Sequence, residues 1–152
     1  MSDNWIILIP ENAGYVPPEP KQKLATAKLR ELPPKADEVN VEVTEKIRFE
    51  DCGGNFESIA CPDCGETIEM EWWQERMGED FGEDGDFKLK PMKLPCCGKD
   101  RTLHELRYNF TQGFTRFSLV TMNPNIGEMP KEGIAVFEKI LGCPLRVIYR
   151  HM

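Results

Sequence analysis

An α+β fold is predicted for this 152-residue chain by three observations. A strand–helix–strand pattern reads near the N-terminus and again near the C-terminus. The most apolar strand is the first one. A stretch of turn-rich sequence, residues 52–112, separates the two patterns and carries two close-set pairs of cysteines. Two βαβ units of this size predict a ferredoxin-like split-βαβ sandwich, with the first and third strands central and the second and fourth at the edges. The domain reading is a core from 1–51 and 113–152 and an insert over 52–112.

Each element has its own signal. Residues 5–9, "WIILI", are an unbroken apolar run closed by Pro10, as a central strand covered on both faces requires. Residues 20–32 begin on proline and are rich in helix formers, with Ala25, Leu29 and Leu32 on one stripe and Pro33-Pro34 as the stop. From Ala36 to Asp51 apolar residues alternate with polar ones, and Val39, Val41, Val43, Ile47 and Phe49 share one parity. That predicts a half-buried edge strand, or two strands broken near Glu45. Residues 114–122 read as a strand with Phe117 and Leu119 on one face. Residues 130–141 read as a helix that opens at Pro130, carries Ile134, Phe137, Ile140 and Leu141, and closes at Gly142. Residues 144–150 supply the last strand. The sequence itself shows no internal repeat.

The middle segment holds the chemistry. "CPDCG" at 61–65 places two thiols on one side of a tight turn, with Pro62 rigidifying it and Gly65 letting the backbone fold back. It resembles a zinc-ribbon knuckle, preceded by a short strand in "ESIA". The resemblance implies a structural, closed, four-ligand Zn2+ site. A second half is needed, and "LPCCG" at 94–98 departs from the pattern. Aligned on its glycine, Cys97 takes the second ligand position while Leu94, which cannot bind metal, takes the first. The predicted ligands are therefore Cys61, Cys64, Cys96 and Cys97, with Cys96 rotated in as the fourth. His104 and Cys52 are the rival fourth ligands. Cys52 and Cys143 otherwise read as small buried hydrophobes.

A competing reading takes "CPDC" followed by the helix-like "GETIEMEWWQERM" as a thiol redox site on a helix N-terminus, using Cys61 and Cys64. The acidic residues Glu66, Glu69, Glu71 and Glu75 count against a stabilised thiolate there.

Composition limits the function classes. The net charge of −7 argues against non-specific nucleic-acid binding. The charge is polarised, however: residues 61–86 carry ten acids against one arginine, and residues 87–116 carry seven bases against two acids. Either the two halves pair with each other, or they form a two-signed surface that selects a protein partner. No apolar run is long enough to cross a bilayer and no signal-like N-terminus is present, so no membrane association and a cytoplasmic location are expected. The sequence shows no Ser/His/Asp order, no phosphate-cradling loop and no EF-hand spacing in the acidic run 79–86, which reads as a solvated loop. Adjacent Trp72 and Trp73 read as packing or as an aromatic anchor.

The expectation is a non-catalytic, zinc-stabilised protein-binding or adaptor module, in one version a small acidic inhibitor or immunity-type protein. The alternatives are nucleic-acid binding through residues 88–116, with Tyr108, Phe110 or Phe114 stacking on bases, and the thiol redox protein.

Overall fold

The computed structural model describes residues 3–31, 36–124 and 126–152. In chain order the elements are β1 (Asn4–Pro10), α1 (Glu19–Glu31), β2 (Glu38–Glu50), β3 (Ile59–Ala60), β4 (Thr67–Ile68), α2 (Met70–Phe81), β5 (Met92–Lys93), β6 (Asp100–Arg101), a 3-10 turn at Leu103–Glu105, β7 (Arg107–Tyr108), β8 (Gly113–Met122), α3 (Lys131–Leu141) and β9 (Leu145–His151). Leu32 of the predicted helical stripe and the predicted Pro33-Pro34 stop lie outside the described residues.

The four long strands form one antiparallel sheet in the order β2-β8-β1-β9. The first and third long strands are thus central. β1 is buried on both faces, which explains its lack of alternation. Ile6 and Leu8 pack with Ala25, Leu29, Phe137 and Leu141 of α1 and α3. Ile7 and Ile9 face the other way, with Cys52 and Ile148. Each such buried aliphatic side chain contributes about 1.5–3 kcal/mol of transfer free energy. α3 ends at Gly142, whose φ of 75° is the left-handed C-cap that glycine favours.

β2 is one strand with a register shift between Val43 and Arg48, so the predicted break near Glu45 is a bulge. Beyond the bulge Phe49 pairs with Phe114, and their rings lie 5.0 Å apart. These two rings form the floor for the middle segment. Trp73 meets Phe49 at 5.9 Å and Phe87 meets Phe114 at 4.9 Å, both edge to face. Phe56, Tyr108 and Trp73 complete an aromatic cluster.

The acidic stretch is more ordered than a solvated loop. Its first two acids, Glu79 and Asp80, belong to α2. The Asp80 carboxylate accepts the N–H groups of Leu89 and Lys90, and that of Asp86 accepts the Ile47 N–H at 3.0 Å. Phe87 N–H donates to the Ile47 carbonyl. The outer edge of β2 at Ile47 is thereby closed.

The glycine pair of "CGGNFES" has a specific cause. Gly53 has φ of 62° and bridges to His151, whose carbonyl oxygen would lie 2.5 Å from any Cβ at that position. Only glycine permits that approach.

Candidate metal centre

Two short hairpins build the centre. β3 and β4 flank "CPDCG"; β5 and β6 flank "LPCCG". Their backbones share one pattern. In the first, Cys61 N–H donates to the Glu66 carbonyl and Gly65 N–H to the Cys61 carbonyl, at 2.9 and 3.1 Å. In the second, Leu94 N–H donates to the Lys99 carbonyl and Gly98 N–H to the Leu94 carbonyl, at 3.0 and 2.9 Å. Gly65 and Gly98 have matching φ of 78° and 73°. Leu94 therefore occupies the Cys61 position and is buried in the apolar cluster, while Cys96 occupies the Asp63 position. The repeat is structural; the proline, the second cysteine and the glycine of each turn announce it in the sequence.

The four sulfurs of Cys61, Cys64, Cys96 and Cys97 all lie within 4.8 Å of one another. Cys61 Sγ and Cys97 Sγ are 3.7 Å apart. A tetrahedral zinc–thiolate centre with bonds of about 2.3 Å has sulfur–sulfur edges of about 3.8 Å. The spacing fits a single tetrahedral ion. Cys96 does rotate in: adjacent residues of the tight turn both reach the cluster.

The rival fourth ligands are engaged elsewhere. His104 is buried, its Nδ1 accepts the Phe114 N–H at 2.9 Å, and its Nε2 lies 2.7 Å from the Glu11 carbonyl. Burial, and after it the Arg146 charge, holds its pKa down to about 4, so the imidazole is neutral and donates from Nε2. Cys52 is fully buried, with its N–H and thiol directed at the Gln112 side-chain oxygen. Burial pushes its thiol pKa up.

Cys61 and Cys96 are shifted in opposite directions. Backbone N–H groups of Cys64 and Asp63, each 3.4 Å from Cys61 Sγ, help bring the Cys61 pKa down to about 6, the Cys64 bond contributing most. Loss of water around its sulfur, and then the neighbouring thiols, push Cys96 up to about 12 although the residue itself is exposed. A thiolate forms readily at Cys61, and a cation beside it would favour a second at Cys96. Outside the cluster, Asp63 pairs with Arg101 at 2.7 Å and Lys99 at 3.9 Å, tying one hairpin to the other.

Other expectations fare differently. Strand β4 comes directly after "CPDCG", and α2 begins only at Met70, so the helix-like stretch from Gly65 does not start at the cysteines. The helix N-terminus that the redox reading places at Cys61 is not there. Cys61 is itself fully buried. Among the proposed stacking aromatics, Phe114 and Tyr108 are buried; Phe110 is exposed, at φ of 61°. Trp73 is buried and its indole N–H donates to the Tyr108 hydroxyl at 3.0 Å. Trp72 is half-buried, with the Arg76 guanidinium 5.5 Å from its ring. The oppositely charged stretches pair only in part: Asp63 and Asp84 take bases from the second stretch, whereas Glu66, Glu69, Glu71, Lys90, Lys93 and Arg107 form no ion pair among the described residues. No helix among the described residues is long and apolar enough to cross a membrane.

Comparison with protein-family models, with curated proteins and with solved structures returns no match to this chain.

Proposed function

We propose that this protein is a non-catalytic, zinc-stabilised protein-binding module: a ferredoxin-like core formed by 1–51 and 113–152, carrying a zinc-ribbon-like insert over 52–112. The observation that carries the reading is the convergence of four cysteine sulfurs within 4.8 Å. The strand order β2-β8-β1-β9 supports the core, and the two matching knuckle hairpins support the ribbon. Zinc bound by all four cysteines has no open position for an activated water, so its role is structural. Such sites contribute about 10 kcal/mol or more of folding free energy. The middle segment, with strands of only two residues, is the part that needs it.

The negative net charge and the burial of Phe114 and Tyr108 favour a protein partner over nucleic acid. Two measurements test the two halves of the reading. Elemental analysis is expected to find one zinc per chain in the wild type and none in Cys96→Ser; iron in place of zinc, or metal retained by the variant, overturns the assignment. Gel shifts with single-stranded and duplex oligonucleotides at low salt are expected to show no binding. A shift that weakens steeply with salt transfers the reading to nucleic acid.

A further inference from the structure

β9 is an edge strand, and its backbone shows which groups face outward. Asp3 and Met152 exchange both N–H···O bonds, so with the register Trp5↔Arg150, Ile7↔Ile148 and Ile9↔Arg146 the even-numbered residues of β9 bond to β1. The odd-numbered residues point away. Several of these are already satisfied. Leu145 N–H donates to the Glu138 carboxylate at 2.8 Å, the Tyr149 carbonyl accepts from the Asn55 side chain at 3.0 Å, and His151 bonds to Cys52 and Gly54 in the manner of a parallel strand. The Leu145 carbonyl, both groups of Val147 and the Tyr149 N–H have no partner among the described residues.

These free groups form the floor of a groove of about 550 Å³. Leu106, Arg107 and Gln112 stand on one wall; Met129, Lys131 and Ile134 stand on the other. The Gln112 side chain is fully buried, yet its Nε2 has no acceptor among the described residues. Arg107 and Lys131 are exposed and form no ion pair among the described residues, whereas Arg146 is neutralised by Glu11 at 2.9 Å. Glu128 is the one acid of the walls left unpaired among the described residues. In a protein of net charge −7 this groove carries free positive charge.

We propose that the groove binds an extended peptide segment of a partner protein, with alternating apolar and acidic side chains, which adds to the sheet as a fifth strand. Its backbone pairs with Val147 and its neighbours. Alternate side chains meet Met129 and Ile134 on one side and Arg107 on the other, as the two-residue period of a strand requires. A second copy of this chain seated in the groove would appear as a dimer by sedimentation, an outcome that overturns the peptide. The proposal rests on the protein-binding reading above.

The test is a phage-displayed library of random decapeptides panned against the zinc-loaded protein. Val147→Pro removes an outward N–H, a loss edge strands accept, and also trims a half-buried side chain packed on the core, so its thermal melting is compared with that of the wild type before binding is read. Arg107→Glu reverses the charge of one wall at an exposed position. The expected result is enrichment of peptides alternating apolar and acidic residues. When synthesised, these should bind about tenfold more weakly to Val147→Pro and about fivefold more weakly to Arg107→Glu, a factor of about two to ten being the usual range for a lost main-chain or exposed charged contact. Hydrogen exchange on the wild type gives a readout independent of the variants: the Val147 and Tyr149 amides are expected to become protected when peptide is added. Peptides that bind without protecting those amides, or a library that yields none, overturn the groove. The gel shift decides the broader reading separately, so either can fail alone.

Discussion

The two knuckle hairpins share a backbone and differ in where they put their sulfur. The first offers Cys61 and Cys64, three residues apart. The second offers Cys96 and Cys97, side by side, and fills the vacated first place with buried Leu94. The difference teaches that the turn, and not the cysteine spacing, is what the hairpin preserves. Proline at the second place, a left-handed glycine at the fifth and two crossing backbone hydrogen bonds define it. Within that frame a thiol at either the first or the third place reaches the same cluster. The first place points inward, so a residue there can serve the metal or the apolar core. The helical segments C-terminal to the two hairpins differ too: α2 exposes a row of glutamates, whereas the 3-10 turn buries His104 beneath the main sheet.

Breaking the first hairpin has the largest expected effect. Cys61→Ser removes the one sulfur that is both buried and bonded by backbone N–H groups. The expected outcome is loss of the bound metal and of the cooperative melting of residues 52–112 by circular dichroism, with the four-stranded sheet retained. A variant that keeps its metal would falsify the ligand assignment.

Breaking the second hairpin at the equivalent place acts through packing instead. Leu94→Ala is expected to cost about 3 kcal/mol in denaturant unfolding, the middle of the range for a buried leucine, while metal stoichiometry stays at one. Metal loss with little change in stability would reverse the roles assigned to the two positions.

His104 adds a pH dependence. Its folded pKa of about 4 lies below the ordinary histidine value of 6.5, so the unfolded chain binds the extra proton first as pH falls. Stability is therefore full above about pH 6.5 and declines toward pH 4, by on the order of 3 kcal/mol. The loss is read as the difference between zinc-loaded wild type and zinc-loaded His104→Asn, in which the acid sensitivity of the metal itself cancels. Parallel stability curves for the two proteins across that range would remove His104 from the account.

The smallest effect is expected from making the hairpins alike. Leu94→Cys combined with Cys96→Asp gives the second hairpin the first one's ligand spacing. One metal per chain is expected, with a melting temperature lowered by less than in Leu94→Ala, because the cysteine side chain refills part of the space that Leu94 occupied. Loss of metal would show that the two turns are not equivalent.

Much of the fold was legible in the residues. "WIILI" names a doubly covered central strand because nothing polar interrupts it, and "CPDCG" names its turn because proline and glycine fix the backbone locally. The central placement of the first and third long strands also came from local patterns. Less legible were features that depend on distant partners. Asp80 and Asp86 read as solvated because the backbone donors they accept from, at Leu89, Lys90 and Ile47, are not visible from local charge. The helix-like "GETIEM" becomes a strand at Thr67–Ile68 because Ile68 pairs with Ile59 across the knuckle.

By itself, then, the sequence determined the elements whose causes are local: periodicity, turn chemistry and the pair of thiols on one rigid turn. Only the tertiary structure brings the Cys96 sulfur beside the other three and engages both rivals elsewhere. Along the chain Cys96 is the favoured fourth ligand and His104 and Cys52 are its rivals. The choice falls to Cys96 because the sheet takes His104 for the Phe114 and Glu11 backbones and Gln112 takes Cys52, each satisfying a polar group that burial would otherwise leave unpaired.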